Sequence, residues 1–142
     1  MQVKEVMSRR IIAISPEETV AVAARLLSQH NIGALPVCSR DGRLRGMVTD
    51  RDIVVRCVAA GDDPERTRVA EIMTRRILAA EPEKSIGEAA KLMAREQVRR
   101  LPVQERGRLV GMVSLGDVAV RPDYTMEAGE ALQAISQNIR RV

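Results

Sequence analysis

Residues Gly46–Val55 read GMVTDRDIVV and residues Gly111–Val120 read GMVSLGDVAV. Each keeps a hydroxyl and, three residues on, an aspartate, Thr49 with Asp52 and Ser114 with Asp117, while the residues between them change. The likeness extends outward. VKEVMSRRIIAISPEETV from Val3 aligns with VAEIMTRRILAAEPEKSI from Val69, an offset of 66 that holds through the LPV triplets at Leu35 and Leu101. One residue is lost in the next turn, and from Gly42 and Gly107 onward the offset is 65. With roughly two aligned positions in five identical, the chain is a duplication. It divides into repeat 1 over 1–65, repeat 2 over 66–121 and a tail over 122–142.

Each repeat gives the same succession of elements. Val20, Ala23, Ala24 and Leu27, like Ile86, Ala89, Ala90 and Met93, fall at i, i+3, i+4, i+7, which predicts one amphipathic helix per repeat beginning near Thr19 or Ser85. RIIAI and RILAA precede it as short apolar runs, and ALPVC and RLPVQ follow it. A turn at Asp41-Gly42 or Arg106-Gly107 then leads into RLRGMV or RLVGMV, a hairpin pattern, and a second helix begins after each hydroxyl, the later one stopped by Pro122. The expected fold is α/β (α+β), two β-α-β-β-α repeats. A three-stranded sheet with both helices on one face leaves its other face bare, so the two sheets are expected to pack face to face with pseudo-two-fold symmetry and equivalent clefts between the halves. The methionines at 7, 47, 73, 93 and 112 occupy apolar positions of the pattern and read as core filler, as does Cys57.

Composition narrows the chemistry. The chain has 142 residues and a net charge of +4, and of its 23 basic residues only Lys4, Lys84 and Lys91 are lysine. Arginine suits phosphate, but the arginines are spread beside 19 acids, and Tyr124 is the one aromatic residue, so base stacking has no platform and a nucleic-acid face is disfavoured. Cys38 and Cys57 form no CxxC, MQVKEVMSRR lacks the apolar stretch of a signal peptide, and no apolar run approaches the ~20 residues of a membrane span. A cytoplasmic protein without membrane attachment is expected. His30 is the one histidine, which leaves no Ser-His-Asp or Cys-His arrangement and no metal-ligand set, and GxxxxGK[ST] is absent. Neither catalysis nor a required cofactor is expected.

The order V-x-x-V/I-M-S/T, helix, LPV, G-R-L-x-G-M-V-S/T-x-x-D occurs twice in matching register and resembles the CBS domain, here a tandem pair or Bateman module over about residues 1–121. HNIGALPVC, TDRDIVV, AAGDDP and QVRRLPV look in addition like bacterial stand-alone CBS pairs of the hypoxic-response type, which implies a stress-response setting.

The retained pairs have a physical reading. Thr49 and Ser114 sit where a strand stops and a helix starts, a place whose unpaired N–H groups attract anions. A carboxylate one turn in can accept both hydroxyls of a ribose, and the Thr or Ser hydroxyl can bond sugar or phosphate. The resemblance implies the same, an adenine nucleotide or derivative such as AMP, ATP, S-adenosylmethionine or a cyclic dinucleotide, with AMP or ATP favoured. The competing reading is a capping box, in which the acid folds back onto the N-cap backbone without any ligand. The resemblance further implies a cross-over. One cleft then combines Thr49, Arg51 and Asp52 with Leu78, Arg99 and Arg100, and the other combines Ser114 and Asp117 with Ile12, Gly33 and Ala34. Pro36 and Pro102 of the LPV triplets complete the set. Arginine forks bind phosphate strongly, so the cleft with Arg99 and Arg100 is expected to dominate. In the tail, Met126, Ala128, Leu132, Ile135 and Ile139 predict a helix over about 125–140 whose stripe packs across a subunit boundary, with folding back on its own chain as the alternative. The resemblance implies a homodimer. Three functions follow in order: a ligand-sensing regulatory module acting on an unknown partner protein, a ligand-free interaction module, and a nucleic-acid binder.

Overall fold

The computed structural model of the chain describes residues 1–137. Helices and strands alternate as the repeats require, in two compact units that do not coincide with the repeats as written. Ile12–Ile77 forms one, the inserted unit; Met1–Ile11 together with Leu78–Val142 forms the other, the split unit.

In the inserted unit α1 spans Val20–His30, and its N-cap is Thr19, whose Oγ1 accepts from Val22 N at 3.3 Å. Asn31 ends it in the left-handed conformation at φ 52°. Strands β1 (Ala34–Cys38) and β2 (Leu44–Thr49) pair antiparallel with Ala34 opposite Thr49. Helix α2 (Asp50–Ile53) runs on as a π-helical turn over Val54–Val58, and α3 (Val69–Ile72) closes the unit. Val20, Ala23, Leu27, Leu35, Val37, Val48, Ile53 and Cys57 pack into one core with Val69, Ile72 and Met73.

The split unit repeats this plan. A 3-10 turn over Val3–Glu5 stands in the place of α3, and α4 spans Ile86–Glu96 with Ser85 Oγ accepting from Glu88 N at 3.1 Å. Strands β3 (Arg100–Glu105) and β4 (Arg108–Ser114) are joined by Arg106 and Gly107, both at positive φ (54° and 82°), the two-residue turn whose twist suits a hairpin. Helix α5 spans Leu115–Ala119, and after a 3-10 turn beginning at Pro122, α6 spans Thr125–Ser136.

The third strand expected in each sheet shrinks to a single parallel bridge, Ile14 with Val37 and Ala80 with Val103. Pro16 and Pro82 follow two residues on, and proline cannot extend a ladder. Each two-stranded sheet is flanked instead by the segment that opens the other repeat. Thr74 exchanges both backbone hydrogen bonds with Met47 (2.8 and 3.0 Å), and Ser8 does the same with Met112 (2.8 and 2.9 Å). Val3 N donates to Lys84 O and Val69 N to Glu18 O, each at 2.8 Å. Thus the VKEV turn of repeat 1 belongs to the core of the second hairpin, and VAEI of repeat 2 to the first; Val3 and Val69 are both fully buried.

The tail corrects one expectation. Ala128, Ala131 and Ile135 enter the split unit's core, so α6 folds back on its own chain, the alternative reading, through this face. Met126 and Leu132, assigned to the buried stripe, are 75% and 44% exposed. Ala131, 1% exposed, completes the buried face. Ile139 and the end of the expected helix lie outside the described residues. No helix among the described residues is long and apolar enough to cross a membrane.

Gly46 and Gly111 permit the exchanged segments to approach. A Cβ on Gly46 would fall 2.1 Å from Thr74 O, and one on Gly111 2.7 Å from Met7 Sδ and 2.9 Å from Ser8 O. Gly46→Ala is therefore expected to lower stability by about 3 kcal/mol and Gly111→Ala by about 1–2 kcal/mol, because the bonded carbonyl lies far deeper inside contact distance at Gly46 (2.1 Å) than at Gly111 (2.9 Å), where the nearest atom belongs to the flexible Met7 side chain. Urea unfolding of the two variants checks the order.

Candidate functional site

The strand-to-helix junctions bring the retained pairs together as reciprocal caps. Asp52 N donates to Thr49 Oγ1 at 3.0 Å and Thr49 N to Asp52 Oδ2 at 3.0 Å. The same bonds join Ser114 and Asp117, at 3.1 Å from Asp117 N to Ser114 Oγ and 2.8 Å from Ser114 N to Asp117 Oδ2. Both capping boxes are thus closed, and each fixes one carboxylate oxygen.

The second oxygens differ. Asp52 is 8% exposed, and its Oδ1 accepts from Thr74 Oγ1 at 3.4 Å and lies 3.8 Å from Arg56 Nε. Arg56 also donates to the carbonyls of Ile72 and Met73 at 3.2 and 3.4 Å, so it pins the exchanged segment. Asp117 is half-buried, and its Oδ1 has no hydrogen-bond partner among the described residues. Ser8, the counterpart of Thr74, turns to its neighbour Arg10 instead.

The cross-over expected Arg99 and Arg100 to serve the Thr49 motif and Gly33 and Ala34 the Ser114 motif, whereas the backbone before each LPV lies beside the motif of its own unit. Asp50 N donates to Gly33 O at 3.0 Å, and a Cβ on Gly33 would sit 3.3 Å from Asp50 Oδ2. Ala34 pairs with Thr49, and Arg51 is exposed. In the split unit Leu115 N donates to Arg99 O at 2.8 Å, and Arg100 pairs with Ser114. An acid therefore flanks the Thr49 motif where two exposed arginines flank the Ser114 motif; among the described residues neither arginine side chain has a hydrogen-bond or ion-pair partner. Pro36 and Pro102 are buried strand residues whose carbonyls accept the bridges from Ile14 N and Ala80 N. Ile12 and Leu78 pack against the cores of the inserted and split units respectively. Arg99, Arg100 and Ser114 also border a cavity of about 500 Å³ that α6 helps to line, a wall with no signature in the sequence.

Other reactive groups are muted. Burial pushes the Cys38 thiol up from its ordinary value, and Cys57 is fully buried. Among the described residues no three His, Cys, Asp or Glu side chains converge as a metal site.

The CBS-domain model matches residues 3–58 and 69–124. The CBS domain-containing protein YhcV of Bacillus subtilis is 45% identical over 138 residues, covering 96% of this chain and 97% of its own length. Hypoxic response protein 1 of Mycobacterium tuberculosis is 40% identical over 116 residues, 82% of this chain and 81% of its own. A crystal structure of Hypoxic Response Protein I with two coordinated zinc ions covers 85% of this chain and 98% of its own, with a TM-score of 0.79 at 39% identity. The CBS domain pair of protein MJ0100, in complex with 5-methylthioadenosine and S-adenosyl-L-methionine, covers 84% of this chain and 94% of its own, with a TM-score of 0.74 at 28% identity.

The unequal second oxygens separate the two aspartates energetically. Asp52→Ala is expected to cost about 2–3 kcal/mol of stability, since it removes a cap and strips two donors of a buried acceptor, and Asp117→Ala about 1 kcal/mol. Denaturant titrations of both variants measure the difference.

Proposed function

This chain belongs to the CBS-domain family, and from that premise we propose that it is a regulatory module that binds an adenine nucleotide, AMP or ATP, and relays occupancy to a partner protein. The observation that carries the reading is the Ser114 motif. Its cap fixes one oxygen of Asp117 and leaves Oδ1 without a hydrogen-bond partner among the described residues, while the backbones of the exposed Arg99 and Arg100 adjoin Leu115 and Ser114 of the same motif. A carboxylate so held accepts a sugar hydroxyl without reorganising, and the arginines bind phosphate. The adenosine compounds bound by the related MJ0100 pair support the ligand class.

One dominant nucleotide site per chain follows, the one that Arg99 and Arg100 serve, with affinity that falls as salt rises. The Thr49 motif, with Asp50 at its rim and Asp52 engaged on both oxygens, takes a less charged adenosine compound or none. Nothing in this reading involves catalysis. The closed caps favour a second reading, in which the motifs serve structure alone and the protein is an interaction module.

Thermal shifts with AMP, ATP and S-adenosylmethionine separate the two. A ligand at 100 times its Kd adds about 2.7 kcal/mol of stability, whereas an interaction module shows no shift with any of them. By titration calorimetry, Asp117→Ala and Arg99→Ala/Arg100→Ala are each expected to weaken AMP at least about tenfold, a loss of about 1.4 kcal/mol. Loss on Asp52→Ala with Asp117→Ala intact would return the site to the Thr49 motif.

Self-association belongs to the same proposal. Val54, Val55 and Val58 are 58, 48 and 60% exposed on one stretch of helix, an apolar surface suited to a second copy of this chain. Sedimentation over a concentration series is expected to show a dimer of the 15.7 kDa chain; a monomer throughout removes this part of the reading.

A further inference from the structure

The cavity beside Ser114 has a wall that the nucleotide reading does not use. Thr125, Ala128, Gly129 and Leu132 of α6 line it at i, i+3, i+4, i+7, a single stripe of one helix, together with Arg99 and Arg100. Leu115 and Ala119 add apolar surface from α5, and Asp117 is not among the lining residues. At about 500 Å³ it falls within the roughly 300–1,000 Å³ of small-molecule sites.

Gly129 is the informative residue. Glycine inside a helix weakens it relative to alanine, and it is ordinarily retained where a backbone passes close or where φ is positive. Neither holds here: a Cβ on Gly129 would meet nothing within 4 Å, and its φ is not among the positive ones. Gly129 is an exposed lining residue, and the missing side chain leaves open space on the cavity's α6 wall. Apolar walls on two helices with two arginines at one side match one class of ligand, a small organic anion with an apolar body. Arginine suits its charged end because guanidinium is weakly hydrated and binds planar anions through paired donors.

We propose that this cavity binds such an anion, with its charged group on Arg99 and Arg100, its body against Leu115, Ala119 and Leu132, and Gly129 setting the length it accepts. The proposal goes beyond the nucleotide reading, since a ligand here needs no sugar and no contact with Asp117.

The probe is 8-anilinonaphthalene-1-sulfonate, an aromatic body with one sulfonate, titrated by fluorescence into the full chain at low salt. Saturable binding of one dye per chain is expected. Gly129→Trp fills the space and is expected to weaken the dye at least about tenfold, while Gly129→Ala leaves it within about twofold. Arg99→Gln/Arg100→Gln, at exposed positions that do not threaten folding, is expected to weaken it about tenfold and to remove its salt dependence. Asp117→Ala is expected to leave it unchanged while weakening AMP, so failure of the nucleotide reading and failure of this one are told apart. Binding that does not saturate, that survives Gly129→Trp in a folded protein, or that ignores the arginine pair overturns the proposal. Equal loss in Asp117→Ala also overturns it, because the cavity is then only an extension of the nucleotide site.

Discussion

Two carbonyl oxygens decide how this chain folds. Thr74 O and Ser8 O come so close to Gly46 and Gly111 that a side chain at either glycine would collide with the backbone opposite. The approach lets Met47 and Met112 trade paired backbone bonds with segments far away in sequence. Those segments deliver Val3 and Val69 to two cores, and in the inserted unit they also deliver Thr74 to Asp52. Hairpin, core and motif geometry therefore share one steric condition, the absence of a Cβ at the start of GMV.

This explains the unequal freedom of the two aspartates. A threonine at the end of the exchanged segment reaches one carboxylate, while the matching serine bonds within its own turn. The caps themselves are alike, to within a few tenths of an ångström. A capping box and a ligand anchor are therefore compatible roles. The cap orients the carboxylate, and what else touches it decides whether an acceptor remains for a ligand.

Much of this was legible in the sequence because the signals are local. Thr19 and Ser85 cap where the helical period begins, and the turns at Gly42 and Gly107 sit where glycine permits positive φ. The exchange was not legible, for a specific reason: VKEV and VAEI are so alike that either fits either unit, so the alignment that reveals the repeats cannot say which copy each one joins. RIIAI and RILAA look extended, yet only Ile14 and Ala80 pair, and the prolines two residues on stop either bridge from lengthening beyond them. The motif residues could be named from their spacing. The α6 wall could not, since glycine and alanine carry no chemical signature, and the same small residues hid the buried face of that helix.

The order of the chain gives the split unit a history that the inserted unit lacks. Synthesis at roughly 5–20 residues per second makes every residue of Ile12–Ile77 before Lys84 exists to receive Val3. Until Val69 emerges, its docking place at Glu18 is vacant, and the nascent chain holds one near-copy of Val69's segment, the VKEV turn. The duplication thus places a competitor beside each nascent core. Correct assembly therefore depends on each core choosing between two near-identical segments, a choice that a chain without internal repetition does not face.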